Sequence, residues 1–579
     1  MDNKTVGSVF SEIAELLEMK GENAFKVRAY RRAAESVERY QENVVEVMHE
    51  GRLTDIPGVG EGIARRIQEL VMTGRLAYRE ELRAEFPEGV RRLLEISGIG
   101  PKTAGRLSRE LGVGSIDDLE VAIGNGRVAA LPRLGEKAAE RLLAAIEVTR
   151  RRDTRTPIGY AWPIAKEFMA MIRRLPGVVE ISAGGSLRRM RETLGDVDIV
   201  GSSTDIEDTI DAFVRLPFVT AINSRELQTV CALTAGGVEV EFRLGDPASF
   251  GALLQRHTGS KRHNALIDQR AAGLGLRLTE EGVVRYGGGG PERFATEDEL
   301  YSRLGLQFIP PELREGMGEI EAAATGSLPS LLGAVDIKGN LHTHSLWSDG
   351  LDTIETMSVA AQSRGYQYLA MTDHSGGLGV AHGLSVARVR EQIEEIKGLN
   401  QRLSGIRLLT GIEVDIRVDG SLDLPDDLLA DLDIVVASIH SAMGQDEEKM
   451  TQRLLRAIAN PNVDIIGHPT CRIVGGREPI RMGIDAVFRA AAAAGTAMEI
   501  NAAPMRLDLK DDLVRRARDL GVKVAIGTDA HNVDHLDFMH FGVGVARRGW
   551  CGTEDVVNAW PLEKVLAFAK NGTGETGLS

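Results

Sequence analysis

Gly184-Gly185-Ser186-Leu187-Arg188-Arg189-Met190, followed by Asp196-Val197-Asp198, is the stretch on which the fold turns. A glycine turn opens a basic run, and an Asp-x-Asp then enters a β-rich segment, Val197-Asp198-Ile199-Val200. Residues i and i+2 of a strand share a face, so Asp196 and Asp198 project together. Farther on, Val238-Glu239-Val240-Glu241-Phe242 reads as a second strand, and its Glu241 offers a third carboxylate. Three such acids make a clamp for two divalent ions, Mg²⁺ or Mn²⁺. One ion would lower the pKa of an attacking 3′-hydroxyl, and the other would hold a triphosphate and its departing pyrophosphate. Gly185, Ser186 and Arg189 would grip the phosphates, a guanidinium being suited to bidentate contact. A lone Asp-x-Asp is commonly a solvated strand end. The Gly-Gly-Ser-x-Arg-Arg before it and the acidic strand after it give the reading its specificity.

Upstream, the first 150 residues read as short helices joined by glycine turns. One unit recurs: Ile56-Pro-Gly58-Val-Gly60 before Ile63-Ala-Arg65-Arg66-Ile67, and Ile96-Ser-Gly98-Ile-Gly100 before Thr103-Ala-Gly-Arg106-Leu107. A weaker copy is Leu131-Pro-Arg-Leu-Gly135 before Ala138-Ala-Glu-Arg-Leu142. Such a bend presents backbone N–H groups at a helix N-terminus to a phosphate, with no side chain in the way. Gly58, Gly60, Gly98, Gly100 and Lys102 are the expected DNA contacts, supported by Arg65, Arg66 and Arg106. Arg150, Arg151, Arg152 and Arg155 form a basic run that is either a further contact or a solvated connection. Phosphate contact positions a duplex without reading its bases.

Downstream, histidine is the signal. Three of the twelve histidines precede residue 337, and the other nine crowd behind it. They come with carboxylates at or just after β-like runs: His342-x-His344, Asp349, Asp373-His374, Glu413, His440, His468 and Asp529-x-His531. Short β runs such as Tyr368-Leu-Ala-Met371 and Ile434-Val-Val-Ala-Ser438 alternate with amphipathic helices, which predicts a parallel α/β barrel. Barrel strand ends converge on one mouth, so dispersed ligands can meet there. Mixed imidazole and carboxylate ligands suit Zn²⁺, Mn²⁺ or iron, and several ions close together suit phosphoester hydrolysis. His382, His535 and His540 are read as lying outside the ligand set, with a role at the rim left open.

Composition excludes more than it identifies. Length alone, 579 residues, predicts several domains. With 43% hydrophobic and 26% charged residues the chain is neither disordered nor fibrous. No apolar run is long enough to span a bilayer, and no signal layout opens the sequence, so a cytoplasmic protein with no membrane partner is expected. Cys231, Cys471 and Cys551 are too scattered for a disulfide framework. The net charge of −15 excludes a polycationic nucleic-acid binder, so DNA must be held by local donors.

Over about its first 318 residues the chain resembles the family X DNA polymerases, the group of DNA polymerase beta. Ile13–Phe25 with Arg28–Ala33 is similar to the family's small N-terminal domain, and Gly185-Ser186-x-Arg188-Arg189…Asp196-x-Asp198 to its palm signature. Thr258-Gly259-Ser260 with Asn264 is similar to the thumb motif that contacts the incoming nucleotide. Residues 337–575 resemble the polymerase-and-histidinol-phosphatase (PHP) superfamily. That resemblance implies a three-ion Zn²⁺ or Mn²⁺ cluster: His342, His344, Glu413 and Asp529 on one ion, Glu413, His440 and His468 on a second, and Asp349, His374 and His531 on a third. Asp373 fits no slot and is expected to orient the neighbouring histidine.

The implied architecture is multidomain. A helix-hairpin-helix domain spans 1–85 and fingers with a second such element 86–150. An α+β nucleotidyltransferase palm (151–255) and thumb (256–318) follow, then a linker (319–336) and an α/β PHP barrel with a polynuclear metal site (337–579). The implied protein is a bacterial, nucleoid-associated, monomeric repair polymerase that fills gapped or nicked DNA with deoxynucleoside triphosphates. Its barrel would be a 3′→5′ exonuclease, with abasic-site cleavage left open. Three departures stand out: Glu241 where the family has Asp, Arg256-His257 where an aromatic pair precedes Thr-Gly-Ser, and Arg66 where lyase-active relatives have a Schiff-base lysine. Arginine stays protonated, so no lyase chemistry is expected. The first two keep an alternative open: a PHP nuclease or phosphatase whose polymerase half only positions DNA.

Overall fold

The computed structural model describes residues 2–570 apart from 39, 41, 97, 133, 154, 235–236 and 378–380, and not the side chains of 144, 147–153 or 570. Arg150, Arg151 and Arg152 therefore lie outside the described side chains. The chain forms two compact units, Met1–Thr154 and Arg155–Ser579.

The first unit is helical, beginning with Asn3–Lys20 and Ala24–Glu38. Val6, Phe10, Ile13 and Leu17 fall at helical spacing on the first helix and are buried in a core that continues to Ile146. The repeated turns are built alike. Gly58 (φ +85°) and Gly98 (φ +93°) take a left-handed conformation that other residues adopt at a cost. Gly60 and Gly100 then cap the helices Glu61–Thr73 and Pro101–Leu111, with no side-chain cap at either. Ile56 and Ile96, each 1% exposed, anchor the turns in the core. The third copy keeps a left-handed Gly135 (φ +43°) before the helix Glu136–Asp153.

The second unit opens with the helix Ile158–Ile172 and a five-stranded sheet: β1 (Val178–Ala183), β2 (Val197–Ser203), β3 (Val219–Arg225), β4 (Thr229–Thr234) and β5 (Glu239–Gly245). The order is β1-β2-β5-β4-β3, and only the central pair β2–β5 is parallel. Register pairs Asp198 with Glu241. The thumb helices Phe250–Thr258 and Lys261–Gly273 follow, then the helix Glu297–Arg303. Residues 319–336, expected as a linker, instead open with a helix, Glu319–Thr325. Its Ile320 and Ala323 join the thumb core, and Glu319 is fully buried against His263 (2.8 Å). An Ala-rich stretch with apolar residues at i and i+3 can pack as well as connect.

The C-terminal part is the parallel barrel the alternation predicted. Seven strands run in chain order: β6 (Gly339–Asn340), β7 (Tyr368–Met371), β8 (Arg407–Asp415), β9 (Ile434–Ser438), β10 (Ile465–Ile466), β11 (Ala497–Asn501) and β12 (Val524–Gly527). The first and last strands nearly close it: Asp529 N donates to His342 O (3.1 Å) and His344 N to Ala530 O (2.8 Å). One hydrophobic cluster runs from palm residues Leu187, Val197 and Phe242 through to Ile412, Phe488 and Ile526 of the barrel. Palm and barrel share a core.

Candidate active sites

In the barrel, the expected ligands gather at the carboxyl ends of strands, except Asp349, which lies on the loop between β6 and the helix Ile354–Ser363. His342 and His344 follow β6, Asp373 and His374 follow β7, and Glu413 lies in β8. His440 follows β9, His468 follows β10, and Asp529 and His531 follow β12. Glu413 is the hub, at 1% exposure. Its Oε2 faces His374 Nδ1 (2.9 Å), His342 Nε2 (3.4 Å) and His344 Nε2 (3.6 Å). Its Oε1 faces His468 Nε2 (3.0 Å) and His440 Nε2 (3.3 Å). Asp529 Oδ1 lies 3.1 Å from His344 Nε2, and Asp349 reaches His531 Nε2 (3.5 Å) and His374 Nε2 (3.6 Å). All nine side chains meet.

Three overlapping groups could each hold an ion: His342, His344 and Asp529; His374, Glu413 and His440; and Asp349 with His344, His374 and His531. His344 and His374 are thus shared between groups that the sequence reading kept apart. The donor set fits cations, because His342 Nε2, both nitrogens of His344, His374 Nδ1 and Glu413 Oε2 are buried with no hydrogen-bond partner. Buried polar atoms rarely stay unpaired without a reason. Burial and the neighbouring His531 and His374 push His344 down to about 3, so it stays a neutral donor. Burial disfavours the charged form of Glu413, yet the surrounding imidazoles hold its carboxyl well below the usual range. His468 (φ +26°) and Asp529 (φ +51°) adopt backbone conformations costly for side-chain-bearing residues, as is common where a site demands them.

Three supporting residues went unread in the sequence. Glu499, on β11, bonds His342 Nδ1 at 2.6 Å and accepts from His468 N at 2.5 Å. Gly527 lets it reach: a Cβ there would lie 2.0 Å from Glu499 Oε1. Asp415 bonds His440 Nδ1 (3.2 Å), and Asn501 donates to Asp529 Oδ2 (3.1 Å). Glu499 lies inside a β-like run, Ala497–Asn501, as Glu413 lies inside β8, so an acid within a barrel strand was the signal that could have found it. Asp373 corrects an expectation. It orients no histidine; it accepts from the Ser345 and Ser348 backbone and hydroxyls and from Gln392, fixing the loop behind His344.

The palm is less gathered. Gly185 turns (φ +48°) hard against Asp198, where a Cβ would lie 1.6 Å from Oδ2. Burial, then the Asp196 and Glu241 carboxylates, pushes Asp198 up to about 7, and burial and Glu241 also raise Asp196. That mutual repulsion is what a cation would relieve. Yet the three acids do not converge as the barrel ligands do among the described residues. Glu241 is turned toward Arg243 Nη2 (3.2 Å) and Cys231 Sγ (3.9 Å). Of the expected phosphate grips, Arg189 is held by Glu315 Oε1 (3.1 Å) and the Thr258 carbonyl. Thr258 is tied to Arg188 (2.6 Å), Ser260 caps the helix Lys261–Gly273, and Asn264 donates to Arg256 O (2.8 Å). Arg256 and His257 pair with Asp268 (2.9 Å) and Glu280 (2.9 Å). In the first unit Lys102 is exposed, whereas Arg66 lies on the Tyr78 ring (4.5 Å). Arg155 belongs to the palm, donating to Thr193 Oγ1 (2.9 Å).

The chain is 38% identical over 572 residues to the DNA polymerase/3′-5′ exonuclease PolX of Bacillus subtilis, spanning 98% of this chain and all of that protein. The chain belongs to the PolX family. Family models match four stretches: a helix-hairpin-helix domain at 1–76, a SAM-like helix-hairpin-helix tandem at 90–147, a DNA polymerase beta thumb at 253–315 and a PHP domain at 340–503. The barrel region also matches a probable phosphatase of Thermoanaerobacter sp. strain X514, 35% identical over 241 residues, 40% of this chain and 93% of that protein. The family X and PHP expectations are thereby met. No helix among the described residues is long and apolar enough to cross a membrane.

Proposed function

We propose that the chain is a DNA-directed DNA polymerase that fills gaps in repair, with a metal-dependent 3′→5′ exonuclease in its barrel. The observation that carries it is the meeting of nine imidazole and carboxylate ligands at one barrel mouth, in a chain that matches a polymerase/exonuclease from end to end. In the barrel, Zn²⁺ or Mn²⁺ ions would activate water and neutralise the phosphodiester. Glu413 bridges the ligand groups, and Glu499 and Asp415 fix the tautomers of His342 and His440. In the palm, Asp196, Asp198 and Glu241 are the ligands for Mg²⁺ or Mn²⁺. Gly185, Ser186, Arg189, Thr258, Gly259, Ser260 and Asn264 hold the deoxynucleoside triphosphate. The turns at Gly58–Gly60 and Gly98–Gly100, with Lys102, hold the DNA backbone of a monomeric, cytoplasmic enzyme at the nucleoid. The domain ranges drawn from the sequence are kept within this reading, except that 319–325 belongs to the thumb.

The pairing of Glu241 with Arg243, of Arg256 with Asp268 and of His257 with Glu280 favours one second reading, a nuclease or phosphatase whose polymerase half positions DNA. Primer extension on gapped DNA with Mn²⁺ or Mg²⁺ separates the two. Extension that Asp198→Ala removes supports the polymerase. No extension under either metal, beside 3′-end degradation, leaves the second reading standing.

A further inference from the structure

The palm signature does not end inside the palm. Arg189 and its neighbours press on the last turn of the barrel helix Met539–Arg548. Arg548, 8% exposed, donates through Nη1 to the Arg189 carbonyl (2.8 Å) and to Glu315 Oε1 (3.1 Å). Its Nε and Nη2 hold Asp511 Oδ2 (2.8 and 2.5 Å). The same Glu315 Oε1 accepts from Arg189 Nε (3.1 Å). Arg191 lies 3.9 Å from both Glu315 and Asp511. Met190, between the two palm arginines, has a left-handed backbone (φ +53°) and sits on Gly544, where a Cβ would lie 2.7 Å from its Cε. Arg472 of the barrel reaches Glu192 (2.5 Å). The loop that bears Arg189 is thus held on one side by a different fold.

Resting on the polymerase reading, we propose that Arg548 is a positioning residue for nucleotide binding in the palm: by sharing Glu315 it keeps the Arg189 guanidinium available to a triphosphate. A carboxylate on Arg189 competes with the anionic phosphates Arg189 is placed to bind. Glu315 Oε1 is hydrogen-bonded by two guanidiniums, Arg189 and Arg548 (3.1 Å each), with Arg191 farther off at 3.9 Å, and each takes only part of its charge. Remove Arg548, and Glu315 keeps only Arg189 at hydrogen-bond distance, with Arg191 farther off at 3.9 Å, while the Arg189 carbonyl loses its anchor.

The test is binding of Mg²⁺–dTTP to the full chain on gapped DNA, followed by calorimetry, beside primer extension and barrel hydrolysis of bis-p-nitrophenyl phosphate. Arg548→Ala should raise the dTTP Kd on the order of tenfold, the size of one charge-assisted contact, and raise KM more than it lowers kcat. Glu315→Gln in the Arg548→Ala background should restore the affinity. Arg547→Ala is the control, since Arg547 bridges the same helix to Glu312 (2.8 Å) without touching Arg189, and it should leave the Kd unchanged. An unchanged Kd in Arg548→Ala, equal losses in Arg547→Ala, or no rescue by Glu315→Gln would each overturn the proposal. If Arg548→Ala damages the barrel, Arg548→Lys, whose compact ammonium lacks the guanidinium fork that spans Arg189 O, Glu315 and Asp511, decides by the same rescue. Wild-type chain that binds dTTP without extending a primer sinks the polymerase reading alone. Wild type that binds no dTTP sinks both.

Discussion

At the residue scale, the proposed chemistries turn on where single carboxylates are placed. Glu413 serves five imidazoles from 1% exposure, so nothing else can replace it. Glu413→Ala should lose bound metal and hydrolysis together, whereas His440→Ala should cut turnover severely and keep part of the metal, because the remaining groups retain their ligands. Elemental analysis beside the exonuclease rate on a labelled single strand checks both, and hydrolysis by metal-depleted Glu413→Ala would move the nuclease elsewhere. Glu499→Gln keeps the size of its side chain but weakens its grip on His342. A loss of about 10–100-fold in metal affinity or rate is expected, as for other groups that orient a ligand. In the palm, Glu241→Asp shortens an acid that now reaches Arg243, and extension should rise if the longer chain misplaces a metal. A lower rate would show a site adapted to glutamate.

At the element scale, the palm turn is tied to the thumb by a buried triad. Arg188 forks onto Glu297 (2.9 and 2.6 Å), and Arg314, fully buried, takes Glu297 Oε1 at 2.5 Å. Burial alone would raise the Glu297 carboxyl, but Arg314 and Arg188 outweigh it and hold it at about 2, below its ordinary 4.5. A depressed carboxyl stabilises the fold above pH 4.5, and that stability drains away as pH falls toward 2. Two and a half pH units correspond to about 3 kcal/mol. Glu297→Gln should therefore lower stability by ~3–5 kcal/mol at neutral pH and flatten the acid limb of the unfolding curve, measured by urea midpoints across pH. An acid limb unchanged from wild type would contradict this. Much at this scale was legible in sequence. The cluster of imidazoles and carboxylates in the barrel was legible because most of its members follow successive β-like runs, and the hairpins because Ile-x-Gly-x-Gly repeats. The partners of Arg188 and Arg189 did not, since Glu297, Glu315 and Arg548 reach them from 109 to 359 residues away, and no local pattern encodes such a distance. Nor did the folded state of 319–325, where small apolar residues read equally as spacer and as packed helix.

At the scale of the whole molecule, both proposed catalytic centres lie in one unit and the hairpin turns in the other. A chain of net charge −15 cannot hold DNA by a general field, so DNA needs local contacts, and in the proposed reading the hairpin turns supply them. Gly60 and Gly100 allow a clean test. Both lie in extended backbone (φ −84° and −90°) that any residue adopts, and a Cβ at either meets nothing within 4 Å. Aspartate is moreover a favoured N-cap, so Gly60→Asp with Gly100→Asp should keep or raise helix stability. What the pair changes is the charge: a carboxylate stands where a phosphate would take the helix N-termini. The doubly substituted chain should bind gapped DNA at least tenfold more weakly, with a shallower dependence of log affinity on log salt. KM for DNA should rise in extension and in exonuclease assays alike, while hydrolysis of bis-p-nitrophenyl phosphate, which needs no DNA contact, stays at the wild-type rate. Wild-type affinity for gapped DNA in that variant, measured by fluorescence anisotropy at two salt concentrations, would remove the turns from the DNA-binding surface and leave duplex holding to the second unit.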